Sequence, residues 1–187
     1  MSDTHVVKEY TVFQVAINLI LACVFSGLII GVVYFITNPI AIEKNEMIKQ
    51  QSMKDLIKDA DSFKEVPGKT EWFAAEKAGK VIGYVVPGET KGYGGAIKMQ
   101  VAVSTDGKVI DYNILTSNET PGLGDNAAKE PFKSQLKGKT VKNLTVVKDP
   151  SDKEDIQAMT GATISSRAVT KGVKEAVEAV SELKGGK

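Results

Sequence analysis

Four hydroxyl side chains fall within the seven-residue run Thr160-Gly161-Ala162-Thr163-Ile164-Ser165-Ser166, directly ahead of a helix pattern. Ala168, Val169, Val173, Ala176, Val177, Val180 and Leu183 recur at the spacing of one helix face, which places a helix start near Thr163. A helix start presents backbone N–H groups with no partner inside the helix, together with positive dipole character. A phosphate is stabilised there, and a threonine hydroxyl in the same turn is a group to which that phosphate can be joined. Gly161 and Ala162 leave room for it, while Ser165 and Ser166 offer hydroxyl donors. The same residues also read as an ordinary turn with a hydroxyl cap, and both readings stand on the run alone.

Two glycine loops lie upstream. Gly92-Tyr93-Gly94-Gly95 precedes a strand pattern and lacks the Gly-Lys-Ser/Thr of a nucleotide P-loop. Gly122-Leu123-Gly124-Asp125-Asn126-Ala127 matches G-x-G-x-x-A, but it follows Glu119-Thr120-Pro121 and an antiparallel hairpin, with no βαβ unit to make it a dinucleotide site. Both loops are read either as simple tight turns or as bare backbone brought close to a flat or phosphorylated ligand.

Composition excludes other chemistries. The chain of 187 residues has one cysteine, Cys23, and one histidine, His5, so it cannot build a thiolate or imidazole cluster for a metal. A net charge of +1 without a basic block gives no electrostatic footprint for nucleic acid. No paired-carboxylate or nucleophile–base arrangement stands out, so no residue is assigned as catalytic.

The elements that must position these loops follow from the patterning. From Phe13 to Thr37 no residue carries a formal charge, and as a helix these residues would be roughly 37 Å long, enough to span a bilayer. A signal peptide is the competing reading, but this run ends in Ile36-Thr37-Asn38-Pro39 without a small-x-small cleavage site. Gly27 and Gly31, with Ser26 beside them, form a small-residue face suited to close approach of another membrane helix. Flanking charge leaves the orientation open.

Asn38-Pro39 reads as a cap and first helical residue, opening a juxtamembrane helix to about residue 60. Past Val66-Pro67-Gly68 come strand patterns at Trp72–Ala75, Lys80–Val86, Ala96–Val103 and Val109–Leu115, the last two joined by the hairpin signal Asp106-Gly107. A short helix at Ala127–Leu136, a strand at Val141–Val147 and the closing helix complete an α+β arrangement, with the closing helix packed on one face of an antiparallel sheet. The expected organisation is a tail at 1–12, a transmembrane helix at 13–37, a juxtamembrane helix and linker at 38–66, and a folded domain at 67–187.

Taken together and in this order, Lys91-Gly92-Tyr93-Gly94-Gly95-Ala96-Ile97, Glu119-Thr120-Pro121-Gly122-Leu123-Gly124 and Thr160-Gly161-Ala162-Thr163-Ile164-Ser165-Ser166 resemble the FMN-binding domain family. The resemblance covers nearly the whole chain, apolar span included. It points to the branch formed by G subunits of Rnf ion-translocating electron transport complexes, relatives of the C subunits of sodium-pumping NADH:quinone reductases.

That resemblance implies FMN joined through its phosphate to the hydroxyl of Thr163, by a flavin transferase that uses FAD as donor. It implies cofactor-binding positions at Thr160, Gly161, Ala162, Ser165, Ser166, Glu119, Thr120, Leu123, Gly124 and Tyr93. It also implies a flavin domain outside the cytoplasm, anchored in the bilayer of the cell (inner) membrane. There it would work beside other membrane subunits that oxidise reduced ferredoxin, reduce NAD and move sodium or protons. Gln157 departs from the family pattern, which commonly has an acidic residue three places before the first threonine of the run. A free-standing electron-relay flavoprotein outside the cytoplasm and a flavin-free membrane assembly module are the alternative functions.

Overall fold

A computed structural model describes residues 11–149 and 151–185. Most of the expected tail at 1–12, with His5, and the last two residues of the expected domain lie outside the described residues. The chain divides into two units, Met1–Met47 and Ile48–Lys187.

In the first unit the described residues belong almost entirely to α1, a helix over Val12–Leu56 whose last turns fall in the second unit. Its start is a capping box. The Gln14 N–H donates to Thr11 Oγ1 (3.4 Å), and the Thr11 N–H donates to Gln14 Oε1 (3.1 Å), satisfying two donors that the helix cannot. Val12, Phe13, Leu19, Leu28 and Phe35 are all exposed, so the apolar surface runs round the helix rather than along one stripe. By length and composition this is the one described helix able to cross a membrane.

Asn38-Pro39 does not open a second helix as the sequence suggests, because Pro39 lies inside α1. A proline in a helix interior removes one hydrogen bond and costs about 3 kcal/mol, which two long helical flanks can absorb. The juxtamembrane helix therefore ends at Leu56 rather than near residue 60.

The second unit is built on a five-stranded antiparallel meander: β1 (Ser62–Glu65), β2 (Phe73–Lys77), β3 (Lys80–Lys91), β4 (Ala96–Ser104) and β5 (Val109–Thr116), in sequential order. β1 lies within the segment expected to be linker. β3 runs on through Pro87-Gly88, past the expected end of the strand at Val86. Its pairing with β2 ends at Val85 while its pairing with β4 continues to Lys91, so this half of β3 has an open edge that tolerates proline. The Asp106-Gly107 hairpin forms as expected, with Gly107 at φ 78°.

Both faces of the sheet are covered. Alternation along β4 sends Val101 and Val103 into one cluster with Val169, Val173, Val177 and Val180 of α3 (Thr163–Gly185). Ala102 joins the opposite cluster with Met53, Leu56, Ile57, Ala75 and Val85. The last turns of α1 are thus part of this unit's core, a second layer that the sequence reading did not expect.

Between β5 and α3 the chain is irregular. The expected helix at Ala127–Leu136 is split into a 3-10 turn at Gly124–Ala128 and α2 at Phe132–Leu136, because Pro131 interrupts it. The expected strand at Val141–Val147 is a 3-10 turn at Val141–Asn143 followed by the short β6 (Val146–Val147). β6 pairs in parallel with β7 (Ile156–Gln157), which leads directly into the Thr160 run.

Candidate functional site

Thr163 is the first residue of α3 and is half-buried. The carbonyl before it, of Ala162, accepts the first helical bond, from the Ser166 N–H (2.9 Å). Ala162 therefore stands where helices favour Ser, Thr, Asp or Asn, and its methyl group offers no oxygen to the first turn. The N–H groups of Thr163 and Ile164 precede the first intrahelical bond and have no acceptor within the helix. Gly161 makes the approach at φ 75°, and a Cβ there would lie 3.2 Å from Leu123 Cδ2, so this turn and the Leu123 loop are neighbours.

The two serines expected to reach a ligand are otherwise engaged. Ser166 is fully buried, donating to the Ala162 carbonyl (2.9 Å) and accepting from the Met159 N–H (3.0 Å). It ties the turn to the helix it precedes. Ser165, also buried, donates to Glu119 Oε2.

Glu119 draws the three loops together. Its other oxygen, Oε1, accepts from the Gly94 N–H (2.9 Å), 25 residues back in the chain, while Ser165 lies 46 residues ahead. The glycines around it are closed by it. A Cβ on Gly92 would run into Glu119 Oε1 and lie 2.7 Å from Ile97 Cδ1; one on Gly124 would lie 2.6 Å from Ser165 Oγ and 2.7 Å from Glu119 Oε2. Gly94 faces the Asn118 carbonyl in the same way. The sequence reading offered simple turns or bare backbone approaching a ligand; at Gly92, Gly94 and Gly124 the space is instead filled by the protein's own Asn118–Glu119 segment.

What faces outward is apolar and small. Outside α1, the exposed large hydrophobic residues among those described are Val81, Tyr93, Leu123 and Ile164, and the last three fall one in each loop. Tyr93 is 72% exposed, and a surface tyrosine so open suits an adjoining flat ring. Thr160 and Thr120 are also exposed, whereas Gly124 is buried. The Thr120 carbonyl accepts from the Leu123 N–H (3.1 Å), which closes that loop into a turn.

Gln157 has a structural partner set. Its side-chain amide donates to the carbonyls of Asp149 (2.8 Å) and Asp152 (2.6 Å), and its backbone N–H donates to Gln135 Oε1 (2.7 Å). A carboxylate at this position has no hydrogen for either carbonyl, so the glutamine supports the loop ahead of Thr160 by a means an acidic residue lacks. The sequence signal for it was visible only as a departure. No group of metal-binding side chains occurs among the described residues.

Against known proteins, residues 92–178 match the FMN-binding domain family, and all three loops fall within that range. The chain is 56% identical over 179 residues to the G subunit of the proton-translocating ferredoxin:NAD(+) oxidoreductase complex of Clostridium ljungdahlii, covering 96% of this chain and 97% of that one. It is 30% identical to the G subunit of the Na(+)-translocating ferredoxin:NAD(+) oxidoreductase complex of Acetobacterium woodii, over 92% and 93% of the two chains. Among solved structures, it aligns with the C subunit of the Na(+)-translocating NADH-quinone reductase of Parabacteroides distasonis at TM-score 0.49 and 24% identity, covering 60% of each chain. The chain belongs to the family of G subunits of ion-translocating ferredoxin:NAD(+) oxidoreductase complexes, and within it carries their FMN-binding domain.

Proposed function

We propose that this chain is a membrane-anchored flavoprotein subunit that carries FMN on Thr163 and passes electrons within an ion-translocating ferredoxin:NAD oxidoreductase complex. Family membership supports the complex and the FMN-binding domain supports the cofactor. The observation that carries the attachment site is the start of α3: a half-buried threonine hydroxyl at the first helical position, preceded by an alanine that leaves the turn uncapped.

The chain's own residues fit the group. Thr163 and Ile164 offer N–H groups to a phosphate, Gly161 lets the backbone approach it, and Leu123, Ile164 and Tyr93 give apolar surface for a ring. Bound FMN supplies reversible electron transfer, for which this chain needs no general base of its own. Attachment forms the bond between Thr163 Oγ1 and phosphorus and breaks the pyrophosphate bond of FAD. AMP leaves and the hydroxyl proton passes to solvent, a reaction assigned to a separate flavin transferase.

α1 anchors the chain in the lipid bilayer of the cell membrane. Its Gly27–Gly31 face is the proposed contact with other membrane subunits, and the flavin domain lies outside the cytoplasm. Intact-mass measurement of the chain co-expressed with the transferase tests the central point. The expected result is one FMN adduct on the parent chain and none on Thr163→Val; an adduct that survives Thr163→Val overturns the site.

A further inference from the structure

Among the described residues, Glu119 is the one carboxylate, lysine or arginine that is buried, at 7% exposure. A buried polar side chain is retained only where hydrogen bonds compensate its burial, so its partners show what it is for. Those partners are the Gly94 N–H in the first loop and the Ser165 hydroxyl in the first turn of α3, while Gly92 and Gly124 close against its oxygens.

We propose that Glu119 is a positioning residue for Thr163: by holding Ser165 against the two glycine loops, it fixes the first turn of α3 and with it the direction of the Thr163 hydroxyl. Ser165 is two residues past Thr163 in the same turn, so the bond to Glu119 sets how that turn is rotated against the Leu123 loop. Ser166, tied to Met159 and Ala162, holds the other side of the same turn. Thr163, half-buried, thus begins a turn held by two buried serine anchors. Glu119 spends both oxygens on the protein, so its contribution is to geometry and not to contact with a ligand.

This inference rests on the reading of Thr163 as the attachment site. The test is a time course of adduct formation on the full chain in detergent, with purified flavin transferase and FAD, followed by intact mass. Its rate reports positioning, and its final extent reports the folded fraction. Glu119→Ala is expected to slow attachment by about tenfold or more at unchanged final extent. Glu119→Gln, which keeps an acceptor for Gly94 and a hydrogen-bonding group for Ser165, is expected to stay within about twofold of the parent.

A parent-like rate in Glu119→Ala overturns the inference, and so does a Glu119→Gln chain as slow as Glu119→Ala. Should Glu119→Ala lose folded chain, seen as a lower final extent, Ser165→Ala removes one arm only. A slowed rate there supports the inference, and a parent-like rate overturns it. Absence of adduct on the parent chain overturns the attachment reading, and this inference with it; adduct on the parent at one rate across all variants overturns this inference alone.

Discussion

Gly92, Gly94 and Gly124 of the three-loop site and Gly107 of the β4–β5 hairpin are needed for different physical reasons. At the hairpin, Gly107 has a positive φ of 78°, and a Cβ there would meet nothing nearer than Ser181 Oγ at 3.6 Å, an ordinary contact. The constraint is conformational and local. At the site, Gly92, Gly94 and Gly124 have no such φ, and what a Cβ would meet is the Asn118–Glu119 segment, Ile97 or Ser165. The constraint there is steric, and part of it arises from residues far along the chain: Glu119 against Gly92, Asn118 against Gly94 and Ser165 against Gly124. One residue type thus marks a turn at Gly107, as at Gly122 and Gly161, and a packed junction at Gly92, Gly94 and Gly124.

The largest effect expected from this difference is at Gly124. A methyl group there meets Ser165 Oγ, Glu119 Oε2 and Glu119 Cβ at 2.6–2.8 Å, so Gly124→Ala should destabilise by about 1–3 kcal/mol. It should also slow attachment at Thr163, because the displaced side chain is the one that holds Ser165. Thermal melting and the intact-mass time course check the two parts, and a variant that melts and reacts like the parent breaks the comparison.

Coupling sharpens it further. Two of the three atoms nearest a Cβ on Gly92 belong to Glu119, so Gly92→Ala should cost less in a Glu119→Ala background than in the parent. A double-mutant cycle should show an interaction of about 1 kcal/mol; strict additivity would place the cause in Ile97, the remaining neighbour, instead.

The smallest effect belongs to the hairpin. Gly107→Ala should cost about 1 kcal/mol, from φ strain alone, and leave attachment at Thr163 at the parent rate. Gly107→Asn should recover part of that loss, since asparagine tolerates the left-handed region. A loss of flavin loading in Gly107→Ala would show that the two regions are not independent.

The features read correctly from the sequence are those whose cause lies within a few residues. The helix beginning at Thr163, the Asp106-Gly107 hairpin and the apolar span each carry a periodic or turn signal that neighbours alone explain. Where a distant contact competed with a local signal, the reading erred. Asn38-Pro39 and Pro87 look like breaks, yet one lies within a helix and the other within a strand, because long flanks or an open strand edge accommodate a missing N–H. Val141–Val147 looks like a strand but has a parallel partner only at its end, in β7.

The site divides along the same line. Sequence by itself determined that a hydroxyl sits at the start of an amphipathic helix, in a chain with one membrane-length apolar segment and two glycine loops, because hydropathy period, charge and turn residues are local properties. Only the tertiary structure decided that Ser165 and Ser166 face inward, that both sheet faces are covered, and that Glu119 fills the space the glycines leave. The Ser165–Glu119 bond joins groups 46 residues apart and the sheet faces are covered by helices distant in the chain, and no local pattern encodes which buried group will find which partner.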